Sequence, residues 1–215
     1  MADSLELPEL FVEGNTDLYL IVQLLARHGV TLDKNLGPVR LKDAKNDKGV
    51  LDAMRTAARA STNRAVGFVI DADKSVASRW QAICDRLKDL GLGLPPSATA
   101  SGFIGESAAL KTRVGVWIMP DNATDAGNLE DLVQTLVSAN DGLFPHAKSA
   151  TDKAFSLDPR FVPQDRSKAE LYCWLAWQRE PGVSFGEALK FHFLRHDSEV
   201  ARTFVAWFKT LFQLK

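Results

Sequence analysis

Ala65-Val66-Gly67-Phe68-Val69-Ile70 followed by Asp71-Ala72-Asp73 is the stretch on which the fold turns. Six residues without a charge, rich in β-branched and aromatic side chains, read as a strand buried on both faces. The two aspartates that end it lie where such a strand must leave the sheet. Downstream, Val76, Trp80, Ile83, Leu87 and Leu90 recur at helical spacing, and Val114 to Met119 forms a second strong strand, closed by Pro120-Asp121-Asn122. Leu129, Leu132, Val133 and Leu136 then define another helix face. Upstream, Leu10-Phe11-Val12 is a short strand ending in Glu13-Gly14, with a cap at Thr16 or Asp17. Leu18, Ile21, Val22 and Leu25 follow as a helix that Gly29 stops. Pro38 to Leu41 reads as an edge strand, Gly49 to Ala60 as a helix and Ser101 to Ile104 as a short strand. Strands alternating with helices predict an α/β fold, a mainly parallel sheet flanked by helices on both sides.

Beyond residue 140 the character changes. Gly142–Pro163 has weak periodicity, and after it the signals are only helical: Lys168 to Gln178, Gly186 to Arg195, and a wide apolar face of Val200, Phe204, Trp207, Phe208 and Leu211. The expected organisation is an α/β domain over 8–140 with a helical C-terminal segment over 141–215 packed on it. Trp174, Trp177 and Trp207 read first as that packing. The sharper alternative is an aromatic platform for bases or a partner.

The 215 residues carry 26 basic and 27 acidic side chains and 46% hydrophobic residues, the proportions of a globular chain. A net charge of −1 removes the simplest argument for a nucleic-acid binder, a strongly basic surface. No run approaches the roughly 18 apolar residues of a membrane span. Asp3, Glu6 and Glu9 without a basic neighbour argue against a secretory leader. Cys84 and Cys173 have no metal-ligand spacing and read as buried thiols in a reducing cytoplasm.

The ligand site of a parallel α/β sheet lies beyond the carboxyl ends of its strands. The residues there are Glu13, Asp71, Asp73 and Asp121, with Glu130 and Asp131 in the first turn of the following helix. Any one of them alone reads equally well as a helix cap. Together they are a set of hard oxygen donors whose mutual repulsion a divalent cation relieves, and Mg²⁺ takes such ligands.

Phe11-Val12-Glu13-Gly14 and Val69-Ile70-Asp71-Ala72-Asp73 resemble the two signatures of the Toprim domain. That domain is shared by topoisomerases, bacterial primases, recombination proteins and the overcoming-lysogenization-defect nucleases. Val116 to Asn122, Gly127 to Asp131, Trp174 to Gln178 and Pro181-Gly182 are similar to a Toprim-related bacterial family of uncharacterised function. The resemblance implies acid–base or metal-binding work for Glu13 and Mg²⁺ (or Mn²⁺) binding by Asp71 and Asp73. Glu130 is the candidate for the further metal-bound acid of the nuclease branch. It thus implies a metal-dependent phosphodiester enzyme, with nucleic acid as substrate and an ATPase as candidate partner protein. Tyr19 and Tyr172 have no topoisomerase context, and two distant cysteines make no primase zinc module.

Residues 40–64 hold seven basic against three acidic groups. Arg40, Lys42, Arg55 and Arg59 are candidates for phosphate contact, or form a solvated face. Lys74 follows the Asp-x-Asp and is a candidate for steadying transition-state charge, or a plain surface lysine. His28 reads as a helix C-cap, and His146, His192 and His196 as unpartnered. Two other readings stay open. Asp71 to Ser75 resembles the nucleophile loop of haloacid-dehalogenase phosphatases, and a non-catalytic Toprim-like scaffold would bind a partner through the aromatic tail.

Overall fold

The computed structural model describes residues 7–32 and 37–215; the acidic positions Asp3 and Glu6 lie outside them. Five strands, β1 (Glu9–Val12), β2 (Arg40–Asp43), β3 (Ala65–Asp71), β4 (Phe103–Ser107) and β5 (Thr112–Met119), form one sheet in the order β2-β1-β3-β5-β4. The first three and β5 are parallel; β4 pairs with β5 antiparallel and closes that edge. The mainly parallel α/β fold is therefore present. The strand expected at Ser101 starts at Phe103, because Gly102 takes a φ of +78° there and its amide closes a turn onto Thr99.

Alternation along the strands divides the core in two. Val66, Phe68, Ile70, Val114, Val116 and Ile118 face α2 (Asp47–Ala60) and α3 (Val76–Leu87). Leu10, Val12, Val69, Trp117 and Met119 face α1 (Asn15–Arg27), α4 (Leu129–Leu136), α6 (Arg166–Leu175), α7 (Phe185–Lys190) and α8 (Glu199–Phe212). α8 lies across β3 and β5. Its approach depends on Gly67 and Gly115, paired side by side in the sheet. A Cβ on Gly115 would stand 2.5 Å from a Leu211 methyl, and one on Gly67 2.9 Å from the same side chain.

Trp174 and Trp207 are buried as the packing reading requires, whereas Trp177 is exposed. The Trp207 indole N–H donates to the Phe103 carbonyl at 3.0 Å, and its ring packs on Trp117 and Phe204.

Several expectations are corrected. The weakly periodic stretch after Gly142 contains a helix, α5 (Leu143–Leu157), which buries only Ala147 and Thr151 and so has almost no apolar stripe to read. α1 is capped by Gly14 instead of Thr16 or Asp17. Gly14 has extended backbone that any residue adopts. Cys84 and Cys173 are half-buried. His192 is bonded to the Arg27 guanidinium, at 2.8 Å through Nδ1, and His28 Nε2 reaches the His196 carbonyl at 2.8 Å. His146 lies against the Trp177 ring. Among the described residues no helix is long and apolar enough to cross a membrane.

Candidate functional site

The parallel strands deliver their carboxyl ends to one edge of the sheet, and four carboxylates gather there. Glu13 follows β1, and its Oε1 accepts a 2.7 Å hydrogen bond from the Asp71 amide at the end of β3. Asp17, in the first turn of α1, is 8% exposed. Glu130 is half-buried in the first turn of α4. One Asp71 oxygen, Oδ1, is buried and has no hydrogen-bond partner.

Burial and crowding act on all four in one direction. Burial first, then the charges of Glu13, Asp17, Glu130 and Asp73, push the Asp71 carboxyl up to about 9. Glu13 rises to about 7, mainly by burial, with the Asp71 amide opposing and Asp17, Asp73 and Asp47 adding repulsion. Asp17 rises to about 6 through burial and the charges of Glu130 and Asp43, against hydrogen bonds from backbone amides. Glu130 is also raised by burial, which outweighs the nearby Lys168.

The donors are all carboxylate oxygens, the set a hard cation such as Mg²⁺ or Mn²⁺ takes. Together with the unpartnered Asp71 oxygen, this makes the residues fit such an ion. Among the described residues no three acidic, histidine or cysteine side chains are already set in coordinating positions. Asp73 explains part of that. It stands at a left-handed φ of +55°, mostly exposed, and is ion-paired with Arg79, whose other arm reaches Asp47 at 3.1 Å.

A family model described as protein of unknown function (DUF3226) matches residues 8–213. The chain belongs to that family. No curated protein and no solved structure matches it.

In this DUF3226 chain Asp121 does not join the cluster, which corrects its place among the candidate ligands. Its carboxylate turns back onto its own loop, accepting the amides of Ala123 at 3.0 Å and Thr124 at 2.7 Å and the Thr124 hydroxyl at 2.8 Å. Burial works against it, but these bonds hold its carboxyl below the usual range. Asp131 is likewise occupied, in a capping box with Asn128 and under the Ser167 hydroxyl.

The basic strip is dispersed as well. Arg40 and Lys42 lie along Glu9, with Lys42 at 3.3 Å, and Arg55 is paired with Asp89. Arg59 stands near the far end of α2 beside Leu90 and Ala108, away from the carboxyl edge. Lys74 alone of the five borders the site, exposed on the loop after Asp73.

Sequence reasoning missed Asp17, Arg79 and Lys168. The rule that found Glu130, an acid in the first turn after a parallel strand, applies equally to Asp17. A cap reading concealed it.

Proposed function

We propose that this DUF3226 protein is a Mg²⁺-dependent phosphodiester enzyme of Toprim type, a nuclease acting on DNA or RNA in the cytoplasm, beside an ATPase where one accompanies it. The observation that carries the reading is the buried, unpartnered Asp71 oxygen amid Glu13, Asp17 and Glu130. Crowded buried carboxylates cost stability unless protons or a cation compensate them, and such arrangements gather at functional sites. Asp71, Glu13 and Glu130 are the residues that would hold the ion, with Asp17 as neighbour and Asp73 joining on leaving Arg79. A bound Mg²⁺ or Mn²⁺ supplies water activation and neutralises phosphate charge.

The chain's own part is proton handling and orientation. In the cation-free state Glu13, with a carboxyl at about 7, holds a proton for part of the time near neutrality and gives it up when the cation takes its place. The Asp71 amide fixes its Oε1 and leaves Oε2 for that exchange. The β3 end anchors the pair, since the Asp73 and Gly127 backbones bond reciprocally at 2.9 and 3.1 Å.

The test is a thermal melt with and without Mn²⁺, alongside cleavage of single- and double-stranded DNA and RNA. Mn²⁺ is expected to raise the melting temperature, and Asp71→Asn to remove both that rise and the cleavage without unfolding the chain. Melting indifferent to Mn²⁺ would sink the catalytic reading in favour of a partner-binding scaffold. Turnover of p-nitrophenyl phosphate without cleavage of nucleic acid would favour the phosphatase alternative.

A further inference from the structure

A cleft of about 780 Å³ opens beside the carboxylates, between the loop after β3 and the loop before α4. Its volume lies within the roughly 300–1,000 Å³ of small-molecule sites. Ala72, Ala82 and Ala126 form apolar wall, while Lys74, Ser78 and Arg79 supply polar groups. Lys74 makes no ion pair among the described residues. The Arg79 side chain is only 10% exposed and is held by Asp47 and Asp73. Two helices begin at this cleft, capped by Ser75 and Asn128, and their N-terminal dipoles favour an anion there, while Asp73 and Asp131 in the same lining offset the charges of Lys74 and Arg79.

Arg79 is therefore divided between two carboxylates, Asp47 and Asp73. It keeps Asp73 outside the cluster, where repulsion from Glu13 and Asp71 would otherwise oppose its entry. A guanidinium is a planar fork that binds phosphate as readily as carboxylate. An anionic phosphate in the cleft would compete for Arg79 and free the carboxylate. With a cation in the cluster, Asp73 would then have a favourable second position.

We propose that the cleft binds the phosphate of one nucleotide unit of the substrate, and that Arg79 is a positioning residue exchanging Asp73 for that phosphate. Asp73 then completes the cation site with Glu13 and Asp71. The inference rests on the metal-dependent reading above. Nucleotide and cation are accordingly linked: each raises the other's affinity by the same factor. The cation site is assembled fully only when substrate is present.

The experiment is calorimetric titration of the full chain. The first arm uses deoxyadenosine monophosphate, which has no phosphodiester to cut, and deoxyadenosine, both in EDTA. The second titrates Mn²⁺ with and without the nucleotide. The monophosphate is expected to bind at least ~10-fold more tightly than the nucleoside, the usual worth of charge-assisted hydrogen bonds. It is expected to raise Mn²⁺ affinity by at least ~5-fold. Arg79→Gln should lose nucleotide affinity and the linkage, and should bind Mn²⁺ alone more tightly than wild type because Asp73 is released. Arg79→Lys, which keeps the charge without the fork, should recover part of the nucleotide affinity and part of the linkage. Asp71→Asn should lose Mn²⁺ binding yet keep nucleotide binding in EDTA. Equal binding of nucleoside and nucleotide, or Mn²⁺ affinity indifferent to nucleotide, would overturn the proposal while leaving the metal-dependent reading intact. Absence of Mn²⁺ binding in the wild type would overturn both the linkage and that reading.

Discussion

The Glu13 carboxylate accepts the Asp71 amide at 2.7 Å, so the end of the first strand is fastened to the end of the third by a side chain that also titrates. The bond favours the ionised form of Glu13. Burial and three neighbouring charges outweigh it. The protonation of one carboxyl thus bears directly on the backbone position of the other.

The metal-free protein is expected to lose stability as pH rises. Asp71, Glu13 and Asp17 have folded values of about 9, 7 and 6 against ordinary values of 3.8, 4.5 and 3.8. Each raised group contributes stability fully below its unfolded value and loses it as pH climbs through the folded one. Melting in EDTA from about pH 5 to about pH 9 should show a falling midpoint, and stabilisation by Mg²⁺ should grow over the same range. A metal-free midpoint that stays level or rises would contradict the carboxylate assignments.

Asp17→Asn should stabilise the metal-free protein, because it removes one buried charge from the cluster while keeping the side-chain shape. A rise of about 2–4 °C corresponds to ~1 kcal/mol in a domain of this size. The Mn²⁺-induced shift should shrink in the same variant. An unchanged Mn²⁺ shift would place Asp17 outside the site's electrostatics.

Asp121→Asn should leave the Mn²⁺ shift as in wild type, since the carboxylate is consumed by Ala123 and Thr124. A lost shift would show that the loop after β5 reaches the cation after all.

Gly115→Ala should cost ~1–3 kcal/mol in a denaturant melt, the usual penalty of overpacking. The new methyl meets the Leu211 side chain at 2.5 Å, so Leu211 must leave its rotamer or α8 must shift from the sheet. A neutral result would mean that α8 is loosely docked.

Trp207→Ala should cost ~3–5 kcal/mol, the range for emptying a large aromatic site. It also leaves the Phe103 carbonyl without its donor. A loss below about 1 kcal/mol would be a surface value.

What was legible in the sequence follows from how each residue is satisfied. β3 and β5 are covered on both faces, so they appear as unbroken apolar runs, and the parallel sheet could be read from them. Glu13 and Asp71 were legible because a strand end fixes their position without help from side-chain contacts. Asp121 occupies the same kind of position, but a short loop lets its side chain turn inward on its own amides, which spacing does not record. α5 escaped because it packs through Ala147 and Thr151, residues too small to make a stripe. Arg79 escaped because a lone arginine on an amphipathic helix reads as solvated, and only the fold brings it between Asp47 and Asp73.

The reciprocal hydrogen bonds between Asp73 and Gly127 make the loop after β3 and the loop before α4 a single clasp. Val76 strengthens it by donating to the Asp125 carbonyl at 2.7 Å. A clasp of this kind tolerates exchange of side chains but not of length. One residue inserted between Pro120 and Asn128 would shift the register of the bridge and pull Glu130 away from Asp71. Among relatives in the family, insertions and deletions are therefore expected to avoid this loop. They should collect in stretches that carry no such tie, such as the segment around Asp158–Val162.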